Sequence, residues 1–178
     1  MIIGLSGYAR SGKDTVAELL CLNYEFSRIS FADPMRDAIV VLNPKINSVT
    51  RVSDYVEEYG WDLAKQNPEV RRLLQVFGTD VGRKMFGENI WIDMAFRQIK
   101  PNSRVVIADV RFPNEAEAIK ERGGKVIRIN RHNHGAVNTH KSEIAMDNYM
   151  FDHVLYNDGT IDDLAENLFM LMRSVFRQ

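Results

Sequence analysis

Seven residues near the amino terminus, Gly7-Tyr8-Ala9-Arg10-Ser11-Gly12-Lys13, carry the spacing G-x-x-x-x-G-K. Glycines at that spacing let a backbone curl so that its N–H groups face inward around phosphate oxygens, and a helix opening at the lysine adds its positive end. Lys13 would then reach the β- and γ-phosphates of a nucleoside triphosphate and offset charge during transfer. The residue after the lysine is ordinarily Ser or Thr, whose hydroxyl binds Mg²⁺. Here it is Asp14, followed by Thr15. An ionised Asp14 could hold Mg²⁺ directly or through water; alternatively Thr15 takes the metal and Asp14 caps the helix. The sequence leaves both open. Asp109, closing a second apolar run, stands where another Mg²⁺-organising carboxylate is expected.

Such a loop serves switches, motors and kinases alike. A guanine-nucleotide switch would place glycine three residues after Asp109, but Asp109-Val110-Arg111-Phe112 has none, and no N-K-x-D occurs. A kinase needs an acceptor site and a lid that excludes water. Asp33, after the second predicted strand, could orient an acceptor or a metal-bound water, with Arg36 one turn on. Arg71, Arg72 and Arg83 could clamp an acceptor monophosphate. Arg128 and Arg131 flank a polar stretch that reads as a lid over about 131–143. Lys13, Arg10, Asp33 and Arg131 are the candidate catalytic side chains. His132, His134 and His140 share that stretch, yet without cysteines or a carboxylate pair at ligand spacing they do not read as a zinc site. Trp61 reads as core, and Trp91 as core or as a base-stacking ring.

The elements that must position these groups alternate strand and helix. Apolar runs at 2–6, 27–31, 104–109, 125–129 and 153–156 read as strands, and helical spacing follows at 13–22, 33–42, 113–122 and from 161. Asp33-Pro34 reads as a helix cap with proline at the first position, and Thr160 with Asp163 as a capping box. In the last helix Ile161, Leu164, Leu168, Leu171 and Val175 mark one apolar stripe. The pattern predicts an α/β domain: three layers around a central parallel sheet, with an inserted helical lobe at about 43–100. The 178 residues contain 15 Arg and 8 Lys within a net charge of −1. A near-neutral total argues against a nucleic-acid polymer as partner, while the arginine bias suits small phosphorylated ligands. Cys21 stands alone, no apolar run reaches ~18 residues and no signal peptide is evident, so a cytoplasmic protein without a membrane partner is expected.

These residues carry a resemblance. The segments Gly4-Leu5-Ser6-Gly7 with Arg10-Ser11-Gly12-Lys13-Asp14-Thr15, Phe31-Ala32-Asp33-Pro34, 74–82 leading to Phe86-Gly87-Glu88-Asn89-Ile90-Trp91, Asp109-Val110-Arg111 with Glu115, Thr139-His140-Lys141-Ser142-Glu143 and Asn157-Asp158-Gly159 follow one another as in the bacteriophage deoxynucleoside monophosphate kinases, a branch of the P-loop nucleoside monophosphate kinases that this sequence resembles. The unusual Lys-Asp-Thr is itself part of that likeness. The resemblance implies transfer of the ATP γ-phosphate to a deoxynucleoside 5′-monophosphate with Mg²⁺, in a protein that forms homodimers. It implies that Gly7 and Arg10 through Thr15 hold ATP and metal, with Asn157 and Gly159 by the adenine. Arg111 and Glu115 would lie near the acceptor, with Arg36, Arg72, Arg83 and Trp91 as further acceptor contacts. A kinase for another phosphorylated metabolite, such as phosphomevalonate or dephospho-coenzyme A, and a nucleotide-binding module without transfer are the rival readings.

Overall fold

The computed structural model describes residues 1–132 and 144–176. In chain order its elements are β1 (Ile2–Ser6), α1 (Lys13–Tyr24), β2 (Ser27–Ile29), α2 (Asp33–Leu42), α3 (Val52–Ala64), α4 (Pro68–Gln75), a π-helical segment (Val76–Arg83), a single turn (Lys84–Phe86), α5 (Ile90–Arg97), β3 (Val105–Ile107), α6 (Pro113–Lys120), β4 (Lys125–Asn130), β5 (His153–Tyr156) and α7 (Ile161–Val175). Two compact units result. One is Met1–Ser30 joined by the chain from Ile99 onward, and the other is Phe31–Gln98.

The first unit is built on a parallel sheet of order β2-β3-β1-β4-β5. β1 lies at its centre, pairing Ile3 with Val106 on one side and Gly4 with Val126 on the other. Continuous apolar strands are what a sheet covered on both faces requires. Ile3, Leu5, Val106, Ile127, Ile129 and Leu155 face α1 and α7, where Val16, Ala17, Leu20, Leu164, Leu168 and Met172 complete a buried cluster. Gly4 alternates to the opposite face, where α6 packs; a β-carbon there would lie 2.6 Å from Ile119 and 3.0 Å from Val110. The predicted strand at 27–31 stops at Ile29, and Phe31 instead buries its ring in the helical unit, edge-on to Phe96 at 5.7 Å. The stripe on α7 runs through Leu164, Leu168, Met172 and Val175, with Leu171 partly buried against the same cluster, while Ile161 is 67% exposed. Thr160 and Asp163 form the expected capping box.

The helical unit holds α2 through α5. α2 starts at Asp33 with Ala32 as its cap residue, so Asp33 lies in the first turn and does not cap it; Pro34 occupies the favoured early position. Asn67 caps α4 by accepting from the N–H groups of Glu69 and Val70 at 2.9 and 3.3 Å. The π-helical segment, Val76–Arg83, has no local sequence signature that sets it apart from an α-helix. It brings Gly78 against Met35 and Gly82 against Trp91, close enough that a β-carbon would lie 2.6 and 2.3 Å from those side chains. The indole N–H of Trp91 donates to the Gly78 carbonyl at 2.8 Å. No helix among the described residues is long and apolar enough to cross a membrane.

Ile127 is fully buried on the strand that joins β1 to β5. Ile127→Ala is expected to lower unfolding stability by about 2–5 kcal/mol, read from denaturant melts, through lost burial and the cavity left behind.

Candidate active site

β1 carries the chain from the core straight into the glycine-bounded loop of residues 7–13. Gly7 turns it with φ +141°, and a β-carbon there would sit 2.4 Å from the Ile129 carbonyl of β4. Arg10 adopts the left-handed region at φ 63° and is exposed. The Ser11 N–H donates to the Tyr8 carbonyl at 3.2 Å, and Gly12, at φ +103°, is the cap residue of α1. No side chain caps that helix. Its first N–H groups therefore face the loop, which is the arrangement that receives an anion.

Lys13 folds back over the loop, its Nζ donating to the carbonyls of Gly7 and Tyr8, both at 2.7 Å. Beside it the Ser11 hydroxyl is buried with no hydrogen-bond partner among the described residues. A buried hydroxyl without a partner costs about 1–3 kcal/mol, so an oxygen-rich ligand has a donor waiting for it. Ser6, Gly7 and Lys13 line a cleft of about 50 Å³ whose far wall is Arg111 and Arg128. Three cations thus surround one small space.

Each of the two arginines is held by a different device. Arg128, with its side chain 11% exposed, lies between the rings of Tyr8 and Phe151 at 4.8 and 5.4 Å, and pairs with Asp147 at 3.2 Å. Asp147 also accepts from the Tyr8 hydroxyl at 2.7 Å, and that bond, with burial, raises the phenol above its usual pKa. Arg111 is exposed, on the turn between β3 and α6. Glu115, 7% exposed, accepts from the backbone N–H groups of Arg111 and Phe112 at 2.7 and 3.0 Å. Glu115 therefore shapes the turn that presents Arg111. Tyr8, Asp147 and Phe151 were not singled out by sequence, since no motif position distinguishes them.

For Mg²⁺ the residues present are oxygen donors of the right kind: a magnesium ion takes one or two carboxylates and fills its remaining positions with phosphate and water. Asp109, at the exit of β3, accepts from the Ser30 hydroxyl at 2.5 Å, an arrangement that fixes one carboxylate oxygen. Thr15 is half-buried in the first turn of α1. Asp14 points outward, 79% exposed, and pairs with Arg28.

At the end of β5, Asn157 is 9% exposed, and its side-chain N–H donates to the Ser11 carbonyl at 2.9 Å. Gly159 packs against Asp163 in the cap of α7. Arg131 is exposed and, with His132, Tyr8, Tyr156 and Asp158, lines a second, larger cavity of about 640 Å³. The rest of the predicted lid, 133–143, with His134, His140 and Glu143, lies outside the described residues.

Within the helical unit most of the remaining predicted residues have partners of that same unit. Asp33 pairs with Arg36 at 3.1 Å, and the Arg36 guanidinium lies 5.7 Å from the centre of the Trp61 ring. Arg72 makes a two-pronged pair with Glu69 at 2.7 and 2.8 Å, which holds the Glu69 carboxyl below its usual pKa. Arg71 donates to the Lys65 carbonyl at 3.3 Å, and Arg83 is half-buried at the end of the π-helical segment. Trp91 tilts against Phe77 at 5.8 Å and spends its N–H on Gly78.

The buried Ser11 hydroxyl yields a test. Ser11→Ala removes a polar atom that has no partner among the described residues, so the melting temperature is expected to hold or rise. Nucleotide affinity, read by calorimetry, is expected to fall several-fold, consistent with one lost hydrogen bond of about 1 kcal/mol. A drop in stability without a drop in affinity would contradict the role of the hydroxyl as a waiting donor.

Known proteins place this arrangement. The family model for deoxynucleotide monophosphate kinase matches residues 41–168. A protein of Acanthamoeba polyphaga mimivirus carrying the same designation is 34% identical, over 94% of this chain and 94% of its own. The deoxynucleoside-5'-monophosphate kinase of Escherichia phage T5 is 28% identical over 68% of this chain and 72% of its own. The deoxynucleotide monophosphate kinase of Enterobacteria phage T4 is 25% identical over 94% and 96%. Among solved structures, dephospho-CoA kinase from Campylobacter jejuni aligns with a TM-score of 0.50 at 14% identity, covering 98% of this chain and 96% of that one. That last likeness is one of fold alone, a parallel α/β sheet flanked by helices. With most of its length inside the family model and a 34% identical relative spanning nearly all of it, this chain belongs to the deoxynucleotide monophosphate kinase family.

Proposed function

We propose that this protein transfers the γ-phosphoryl group of ATP to the 5′-phosphate of a deoxynucleoside monophosphate, giving ADP and the deoxynucleoside diphosphate, with Mg²⁺. The observation that carries this reading is the small cleft in which the phosphate loop and Lys13 face Arg111 and Arg128. Phosphoryl transfer asks little covalent chemistry of a protein; it asks that two anions be brought in line and that charge on the transferring group be neutralised. A helix N-terminus, an ammonium and two guanidinium groups around one cleft meet that demand.

In this reading the loop residues Gly7 and Arg10 through Thr15 hold the donor triphosphate, and Lys13 stabilises its transferring end. Arg111, presented by Glu115, meets the acceptor phosphate. Arg36, Arg72, Arg83 and Trp91, with Asp33, are further candidate acceptor contacts, and Arg10 and Arg131 complete the charge around the donor. Asp109 with Asp14 or Thr15 would hold Mg²⁺, which, when bound, screens the phosphate oxygens during transfer. A homodimer is part of the same proposal and is read by sedimentation.

The direct test incubates the protein with Mg-ATP and each of the four deoxynucleoside monophosphates and follows ADP. Turnover with at least one, abolished by EDTA and restored by excess Mg²⁺, is expected. A protein that binds ATP yet turns over none of the four, or turns over dephospho-coenzyme A in their place, would overturn the reading. Lys13→Ala is expected to lower kcat by ~10²–10³. Arg111→Ala is expected to act on the acceptor's KM or on kcat while ATP affinity stays near wild type; an effect confined to ATP would reassign Arg111 to the donor.

A further inference from the structure

We infer that Asn157 is a positioning residue of the phosphate loop, acting through the Ser11 carbonyl and not through the adenine base; this rests on the reading of that loop as the donor phosphate site. Ser11 lies just before α1, and the helix ladder begins with the Gly12 carbonyl, which accepts from Val16 at 3.0 Å. The Ser11 carbonyl therefore has no place in the ladder and needs a donor from elsewhere. Asn157 supplies it from 146 residues away, at 2.9 Å and buried. Because a carbonyl can only accept, the amide must face it with its NH₂ group, which fixes the orientation of the side chain.

The amide is itself anchored. The backbone N–H of Asn157 donates to the Asn130 carbonyl at 2.8 Å, continuing the pairing of β4 with β5 one residue beyond Tyr156. On the loop side the contact is equally tight, since a β-carbon on Gly12 would lie 2.2 Å from the Asn157 nitrogen. Gly12 is thus required twice, once by its φ of +103° and once by the amide seated against it. The Ser11–Gly12 peptide, turned by this bond, sets where the N–H groups at the start of α1 and the unpartnered Ser11 hydroxyl point. The Ser11 bond takes one hydrogen of that NH₂ group, and the amide, buried at 9% exposure, leaves little of itself open to a base.

The two roles separate when the base is removed from the ligand. Binding of ATP, GTP and inorganic tripolyphosphate is measured by calorimetry for wild type and Asn157→Ala, with the KM for the deoxynucleotide acceptor alongside. The expected result is a loss of about tenfold for ATP and tripolyphosphate alike, as for one hydrogen bond, with the ATP-to-GTP preference and the acceptor KM near wild type. Unchanged tripolyphosphate binding, whether or not ATP binding falls, overturns the inference, as does a lost ATP-to-GTP preference. If the alanine variant does not melt cooperatively, Asn157→Asp keeps the shape but turns an acceptor toward the Ser11 carbonyl, and it is expected to weaken tripolyphosphate at least as much. Wild-type protein that binds neither ATP nor tripolyphosphate would instead sink the donor-site reading itself, a result distinguishable from failure of the variants alone.

Discussion

Parallel pairing of β1 with β3 on one side and β4 on the other is the constraint on which the site depends. In a parallel sheet every strand leaves by the same edge, so the chain's exits gather there whatever their separation in sequence. β1 delivers the phosphate loop, β3 delivers Asp109 and Arg111, β4 ends at Asn130, and β5 delivers Asn157. The pairing of Ser6 with Arg128 places the guanidinium one residue back from the loop on the neighbouring strand. A shift of one residue along β4 would turn Arg128 into the apolar layer under α1 and α7 and bring Ile127 or Ile129 to the cleft. The buried side chains on that strand hold the charge in place as much as they hold the fold.

Positive charge in the cleft is assembled without a positive protein, since the net charge is −1. Each cation is held by its own set of contacts. Arg128 is walled by two rings and one carboxylate, Arg111 is steered through its backbone by Glu115, and Lys13 rests on two carbonyls. Such fixing is paid before any ligand arrives, which is what allows charge to act without rearrangement at the moment of transfer.

What the sequence revealed and what it hid divide along a physical line. The phosphate loop, the capping box at Thr160 and the apolar strands are coded by neighbours within a few residues, and their spacing is legible. The contacts that aim the side chains are not local. Asp147 reaches Tyr8 across 139 residues, and Asn157 reaches Ser11 across 146, so no spacing signals them. Glu115 was legible as a motif residue, but that its carboxylate is spent on the Arg111 turn follows only from the fold of that turn. Asp33 before Pro34 imitates a cap, yet the helix starts one residue earlier because Ala32 already has helical backbone angles. The π-helical segment had no signature beyond two glycines, whose purpose emerges only with Met35 and Trp91 against them.

The bonds from Lys13 to Gly7 and Tyr8 have a consequence for selectivity. An ammonium already satisfied by two neutral carbonyls gains little by exchanging them for a weak acceptor. It gains a great deal from a phosphate oxygen, because hydrogen bonds between charged partners are roughly twice as strong as neutral ones. The loop thereby sets an entry threshold: a neutral acceptor such as water competes against bonds that already exist, whereas an anionic oxygen offers a stronger, charge-assisted one. The lysine is in effect a sieve for acceptor charge, and the carbonyls of Gly7 and Tyr8 supply its mesh.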